Sequence, residues 1–177
     1  MRILKWIAGI IGVLAIVIVG GAYVLPREAT VARSVAIAAG PEAVFPYVNS
    51  LKATAEWSPW LEIDPDVKTT YSGPDDGVES EMEWASDHPN VGNGAQEIMA
   101  SVENERVETS LDFGEMGTAK AAFILAGSGS TTEVTWTLIA DMGSNPVGRW
   151  MGLMMDGMVG ADYEKGLSNL KALVEAN

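Results

Sequence analysis

The sequence contains no cysteine and only one histidine, His88. The absence of cysteine excludes disulfides, thiolate catalysis and cysteine-ligated zinc or iron–sulfur centres. A single histidine excludes metal sites built from several histidines, and a serine–histidine–aspartate apparatus would depend on His88 alone. Because His88 lies in the polar run 86–90, between two predicted strands, we expect it in a solvent-exposed loop.

Short motifs that bind metals or drive catalysis are also missing. The chain has no phosphate-binding glycine loop, no nucleophile elbow and no HExxH zinc motif. The segment Asp64-Pro65-Asp66 lacks the glycine and the spacing of a calcium loop. We therefore expect no metal and no cofactor.

Basic residues are scarce, with 11 against 24 acidic residues and a formal net charge of −13. Arg2 and Lys5 belong to the first 25 residues, whereas every acidic residue lies later. Residues 26–177 thus carry nine basic and 24 acidic side chains, a formal charge of −15. This charge argues against a nucleic-acid partner, because the phosphate backbone would be repelled. It indicates a solvated acidic surface or, alternatively, a patch that recruits a basic protein, and it leaves any protein partner unknown.

The longest apolar run, Trp6–Leu25, contains twenty consecutive residues without a charge. As a helix rising about 1.5 Å per residue, it would cover the roughly 30 Å of bilayer hydrocarbon. Arg2 and Lys5 precede the run, so the positive-inside rule places the amino terminus in the cytoplasm. We predict a single-pass transmembrane anchor over residues 1–25 and an extracytoplasmic domain, periplasmic or extracellular, over residues 26–177.

A cleaved signal peptide is the alternative interpretation of this run. Gly20-Gly21-Ala22 supplies small residues at a possible cleavage site, after a positive start and an apolar stretch. The apolar stretch continues beyond that site through Tyr23–Leu25, and no polar region precedes the site, which favours an uncleaved anchor. Both interpretations place the remaining domain outside the cytoplasm.

The rest of the chain predicts one α+β domain. A strand is expected over 31–38, followed by two short helices that begin near Pro41 and Ser50. Alternation of apolar and polar residues then predicts six strands with short connections, near residues 67–71, 78–84, 96–102, 107–113, 118–125 and 133–141. Asn104 marks a tight hairpin between the third and fourth of these strands. After Asn145-Pro146 the period becomes helical to the end of the chain, although several glycines interrupt it. We expect a curved antiparallel sheet whose apolar face is covered by this long C-terminal helix.

The sequence resembles the START-like or SRPBCC superfamily, and within it the polyketide cyclase/dehydrase-type branch. The matching segments, which fall between about residues 30 and 175, are Ile37–Phe45, Trp57–Trp60, Gly92–Gly94, Thr132–Trp136 and Gly160–Lys171. The resemblance implies a helix-grip fold, in which the sheet wraps around the long C-terminal helix and leaves a cavity for hydrophobic ligands. Members include lipid binders, hormone receptors and cyclases with no catalytic residue common to all, so the resemblance assigns no reaction.

Large apolar side chains of the sheet and the last helix are the candidate lining of that cavity. The predicted cavity residues are Trp57, Trp60, Tyr71, Met82, Trp84, Phe113, Trp136, Met151, Met154 and Met158, with Leu111, Phe123, Leu138 and Met155 as further candidates. Methionine suits adaptable binding surfaces, but a methionine stripe at helical spacing is also typical of an ordinary core. Trp57 and Trp60 flank a proline, where they would cap the core, form a lid or touch the membrane interface.

Polar candidates are few. Glu97 shares an alternation face with Ala95 and Met99, so it is the one weak candidate for an acid or base inside the cavity. Tyr71 and Tyr163 are possible hydrogen-bond donors there. The leading hypothesis is a membrane-anchored domain that binds or carries a hydrophobic small molecule: a lipid, an isoprenoid or an aromatic compound. The alternatives are a polyketide cyclase/dehydrase-like enzyme and a protein-interaction module whose cavity is filled by its own side chains.

Overall fold

The computed structural model describes the backbone of residues 2–177, and their side chains except those of residues 2–5, 7–9, 11, 15 and 115. The helices are α1 (Arg2–Ala22), α2 (Pro41–Val48), α3 (Leu51–Thr54), α4 (Pro59–Ile63), α5 (Pro146–Gly152) and α6 (Met155–Glu175). The strands are β1 (Glu28–Ile37), β2 (Lys68–Ser72), β3 (Glu81–Ala85), β4 (Asn93–Val102), β5 (Arg106–Asp112), β6 (Thr118–Ser128) and β7 (Thr131–Asp141).

Within this described part of the chain, the seven strands form one antiparallel sheet in the order β1-β7-β6-β5-β4-β3-β2. The predicted meander of six strands is therefore confirmed, and β1 closes the sheet beside β7. The hairpin predicted at Asn104 joins β4 to β5, and Asn104 has φ of 61°, a left-handed conformation that asparagine tolerates well. From β2 to β7 each strand pairs with the next strand along the chain, so every connection joins neighbouring strands.

Helix α6 lies against one face of the sheet, here called the inner face, and packs mainly on β1. It buries Tyr163, Leu167, Leu170 and Val174 at spacings of three and four residues, as expected for a helix with one apolar stripe. Large residues at alternate positions of β6 and β7 meet these side chains from the sheet. The predicted helix-grip arrangement of sheet and C-terminal helix is thereby confirmed.

The long helix predicted after Asn145 is divided in two. The Asn145 side chain accepts a hydrogen bond from the Val147 backbone N–H at 2.9 Å and caps α5. Helix α5 ends at Gly152, and α6 begins at Met155 after a turn. The break follows a segment that holds two glycines within seven residues, which lowers its helix propensity.

Helix α1 extends over Arg2–Ala22, whereas the predicted span was Trp6–Leu25. Among the residues that the structure describes, no helix is long and apolar enough to cross a membrane. The predicted anchor includes several of the side chains that the structure does not describe. Membrane anchoring therefore has no support from the fold and stays a prediction.

Candidate functional site

An aromatic cluster fills one end of the space between the sheet and α6. Trp136 of β7 is at its centre: it stacks on Tyr163 with ring centroids 3.8 Å apart and on Phe123 with centroids 5.0 Å apart. Trp57 and Trp60 approach Trp136 edge-on, at 5.3 and 5.7 Å. Offset stacks and edge-on contacts are the favourable geometries for aromatic rings. This end of the interior is therefore packed with protein side chains.

Two of the predicted cavity residues lie in that packed end as core residues. Trp57 is only 1% exposed, and its indole N–H donates to the backbone carbonyl of Tyr47 at 3.0 Å. Trp136 is 5% exposed. Trp60 is half-buried beside them. The position of Trp57 matches core capping, one of the three roles considered for it, whereas Trp60 retains an accessible edge.

The other end of the inner face is less covered. Because α6 packs on β1, the apolar side chains at the inner positions of β2 and β3 and at the end of β5 remain only half-buried. We name this surface the inner groove, and its walls are Tyr71, Met82, Trp84, Leu111 and Phe113. All but Leu111 are in the predicted lining, and Leu111 was a further candidate. The fold thus brings this subset of the predicted residues together.

The floor next to the inner groove is made of small side chains. The register pairs Leu111 of β5 with Ala119 of β6, and Ala119 with Ala140 of β7. Ala121, two residues along β6, points to the same face. An alanine leaves unfilled the volume that a leucine or phenylalanine would occupy at the same position. Ala119, Ala121 and Ala140 are buried, so this floor of small side chains lies beneath the half-buried walls of the groove.

A pair of hydrogen-bonding side chains adjoins the groove. Gln96 of β4 donates from Nε2 to the hydroxyl oxygen of Thr109 on β5, at 3.2 Å. Thr109 is buried, and Gln96 is half-buried opposite Met82 and Leu111. An amide can give one N–H to Thr109 and still offer a second donor and an acceptor. Sequence reasoning missed this pair, because the alternation of Gln96 with Ile98 competes with that of Glu97 with Met99.

The aromatic wall at the end of the groove depends on a glycine. Trp84 of β3 pairs with Gly94 of β4, and a Cβ atom at Gly94 would lie 2.4 Å from the indole and 2.6 Å from the carbonyl oxygen of Asp112. The indole N–H donates to the carbonyl of Val91 at 3.4 Å. The Trp84 ring meets Phe113 edge-on, with centroids 5.9 Å apart. Only glycine leaves room for Trp84 to lie across the strand in this way.

Tyr163 contributes a hydroxyl that remains protonated. Burial raises the pKa of this phenol above its usual value of 10.0, because the charged form loses its hydration. At neutral pH Tyr163 is therefore available as a hydrogen-bond donor and not as a base. Tyr71, the second tyrosine considered for this role, is half-buried in the wall of the inner groove.

The three predicted methionines of the last helix lie outside the groove. Met151, Met154 and Met158 are 50–59% exposed. The inward side of α6 is instead occupied by Met155 and Val159, which pack against the core one turn apart. The break between α5 and α6 determines which side of α6 faces the sheet, and as a result these three methionines face solvent.

Glu97 also lies away from the groove. Its neighbours Gln96 and Ile98 take the inner positions of β4, so strand alternation places Glu97 on the outer face. In the register it faces Glu81 of β3 and Ser110 of β5. The weak acid–base candidate is thus not brought together with the cavity residues.

A depression of about 510 Å³, open to solvent, lies across β2–β5 and shares Trp84 and Gly94 with the end of the inner groove. The rest of its lining includes the charged side chains Lys68, Glu83 and Asp112, which the apolar walls of the inner groove lack. Among the described side chains, no group of three or more potential ligands is placed to hold a metal ion. The inner groove is therefore the better candidate site.

The sequence profile of the family described as polyketide cyclase/dehydrase and lipid transport matches residues 28–175. The chain belongs to this family. It is thus a member of the START-like SRPBCC superfamily, and the resemblance read from the sequence is confirmed. The match covers every strand and α6, and it begins after α1.

Solved structures share the fold at low sequence identity. Protein CV1439 from Chromobacterium violaceum is 20% identical, with a TM-score of 0.55, and the match covers 84% of this chain and 98% of that one. A truncated norcoclaurine synthase from Thalictrum flavum is 9% identical, with a TM-score of 0.64 over 85% and 95% of the two chains.

The di-domain aromatase/cyclase StfQ of the steffimycin biosynthetic pathway is also 9% identical, with a TM-score of 0.62 over 84% of this chain and 51% of that one. No significant match is found among curated protein sequences. At these identities the structural matches show the fold alone.

Proposed function

We propose that the domain binds or carries a hydrophobic small molecule, such as a lipid, an isoprenoid or an aromatic compound, in the inner groove. The observation that carries the proposal is the half-buried apolar wall beside an alanine floor, with one amide–hydroxyl pair, Gln96 and Thr109, at its edge. Ligand sites are mostly apolar with a few polar groups that fix orientation. Lipid transport in the family description supports the same class of function.

A cyclase-type reaction receives less support. Such chemistry needs an acid or base within hydrogen-bond reach of the substrate. Glu97 lies on the outer face, and Tyr163 stacks on Trp136 in the packed end of the interior, away from the groove. Norcoclaurine synthase and the aromatase/cyclase share the fold, but fold alone does not transfer their reactions to this chain. Carriage without chemical conversion is the function that we propose.

We further propose that α1 tethers this domain to a membrane, with the amino terminus in the cytoplasm. The support is the uncharged run Trp6–Leu25 and the exposure of its described apolar side chains, among them Trp6 at 75% and Ile16 at 73%. Apolar side chains so exposed along a helix need a nonaqueous partner. A tether would hold the groove beside the phase in which a sparingly soluble ligand dissolves.

Binding is tested by mass spectrometry of organic extracts from the full chain, purified beside two matched variants. Ala121→Phe fills the alanine floor on the inner face, whereas Ala122→Phe adds the same ring on the outer face one residue away. We expect a stoichiometric apolar molecule in the wild type and in Ala122→Phe, and its loss from Ala121→Phe.

Circular dichroism of both variants separates loss of ligand from loss of fold. Equal amounts of the same lipid in all three proteins would assign that lipid to α1 and contradict binding in the groove. The mass of the mature protein also tests the tether, because cleavage after Ala22 would remove α1 altogether.

A further inference from the structure

Helix α5 and the first turn of α6 expose a continuous set of large apolar side chains. We name this set the α5–α6 patch, and its members are Val147, Trp150, Met151, Leu153, Met154 and Met158. Each is 40–63% exposed. Soluble surfaces carry single apolar residues, but contiguous exposed patches mark contact with a protein, a ligand or a membrane.

The position of this patch is fixed by contacts with the end of α1. The Trp150 indole N–H donates to the carbonyl oxygen of Ile18 at 3.0 Å, and its ring lies against Gly21. Arg149 donates to the carbonyl oxygen of Leu25 at 3.2 Å, and its guanidinium lies 5.5 Å from the Tyr23 ring centroid. The patch is therefore continuous with the apolar surface of α1, at the end where α1 joins the domain.

We propose that the α5–α6 patch inserts into the headgroup and acyl boundary of a phospholipid bilayer, next to the point where α1 leaves it. This inference rests on the proposed tether. An anchor that spans the hydrocarbon over residues 6–25 brings residues 18–22 within about 10 Å of its exit end, and the hydrogen bond to Ile18 holds Trp150 at the same depth. Indole and guanidinium groups are suited to that layer, since each combines an apolar body with hydrogen-bond donors.

Ion pairs on both flanks of the patch lower the cost of placing it in a bilayer. Asp156 lies between Met154 and Met158, where a free carboxylate would oppose insertion, but it is paired with Arg33 at 2.8 Å. On the other flank, Asp141 is paired with Arg27 at 2.7 Å. Pairing lowers the cost of bringing a carboxylate close to a medium of low dielectric constant.

The patch also lies beside the interior of the domain. Met154 is exposed, whereas the next residue, Met155, packs against the core. The turn between α5 and α6 thus separates the proposed bilayer contact from the inward side of α6. A ligand that enters from the acyl layer at this turn would not have to cross water before it reaches the interior.

The test uses single cysteines, which the cysteine-free chain permits without further changes. Met154→Cys labels the patch, Ile10→Cys labels α1, and Ser130→Cys labels the exposed β6–β7 turn at the far end of the sheet. Each full-length variant carries an environment-sensitive fluorophore and is reconstituted in dioleoyl phosphatidylcholine vesicles. Emission is compared with and without brominated phosphatidylcholine, and with aqueous iodide.

We expect brominated lipid to reduce emission at positions 10 and 154 and to leave position 130 unchanged. Adding Met151→Gln and Met158→Gln should lower the quenching by brominated lipid at position 154 and leave the quenching at position 10 unchanged. If position 10 is quenched by lipid and position 154 only by iodide, the tether stands and the patch proposal is overturned. Protection of position 154 from both quenchers would assign the patch to a protein contact and overturn it as well. If lipid quenches neither position 10 nor position 154, the tether itself fails.

Discussion

The phenol ring of Tyr163 stacks on the indole of Trp136, with ring centroids 3.8 Å apart and planes 12° from parallel. This contact joins the middle of α6 to β7 and closes one end of the interior. The packed end holds the helix in place, while the opposite end of the inner face keeps the groove accessible. The packed end and the proposed ligand site therefore lie in different parts of the same sheet.

Replacing Tyr163 tests the structural half of this division. Tyr163→Ala should lower the free energy of unfolding by about 3–5 kcal/mol, because it removes a buried ring and leaves a cavity against Trp136. Tyr163→Phe retains the ring and should cost much less. Thermal unfolding of the full chain in detergent, followed by near-ultraviolet circular dichroism, measures both. Equal losses for the two variants would assign the effect to the hydroxyl.

Two glycines of α6 should respond in opposite directions to alanine. Gly157 is exposed with open space around its Cβ position, so Gly157→Ala should raise stability by up to about 1 kcal/mol through helix propensity. At Gly166 a Cβ atom would lie 2.9 Å from the Trp136 ring and 3.1 Å from Pro59, so Gly166→Ala should destabilise. Unfolding midpoints of the two variants give the comparison. A gain at both positions would show that α6 can move away from the sheet.

The polar edge of the groove should influence which ligands are held. Gln96→Leu removes the amide beside Thr109, so binding of ligands that carry a carbonyl or hydroxyl group should weaken more than binding of pure hydrocarbons. A loss of about tenfold corresponds to one hydrogen bond of roughly 1.4 kcal/mol. Glu97→Gln, on the adjacent outer position, is the matched control and should leave affinity unchanged. Equal affinities of Gln96→Leu for both ligand classes would remove Gln96 from the site.

Acid should weaken the junction between β7 and the segment that follows α1. A hydrogen bond from Arg27, helped by the Gly143 backbone N–H, lowers the pKa of Asp141 from 3.8 to about 2. A depressed carboxyl pKa stabilises the fold above the unfolded value, and that stabilisation is lost as the pH falls from 3.8 toward 2. The difference in unfolding temperature between the wild type and Asp141→Asn should therefore be constant at neutral pH and shrink across this window. A difference that persists below it would exclude the Arg27 pair as the cause.

Much of the fold could be predicted from the sequence because strand alternation is a local signal. The period-two pattern around Met82 and Trp84 predicted β3, and Asn104 predicted the hairpin between β4 and β5. The site was less accessible to such reasoning, because it depends on where α6 lies across the sheet. The break near Met154 rotates the methionines outward, and no local pattern fixes a rotation set by tertiary packing.

Local sequence patterns also do not decide which polar residues of the sheet face inward. Glu97 and Gln96 are adjacent, and only the register of β4 with β3 and β5 decides which of them faces inward. The β-bulge between Ile98 and Ala100 adds a shift that makes alternation counted across it unreliable. Met99, whose alternation with Glu97 predicted a shared face, lies in this bulge. A one-residue change of frame exchanges the two faces, so the sequence pattern alone could not choose between them.

The position of β1 in the sheet affects the order in which the domain folds. β1 is an edge strand whose one neighbour in the sheet is β7, and the Arg27–Asp141 contact beside them joins residues 114 positions apart. During synthesis β1 emerges early and has no partner until nearly the whole domain has followed. Contacts this distant in sequence form late and slow folding. The sheet is therefore completed last at the strand that lies next to α1.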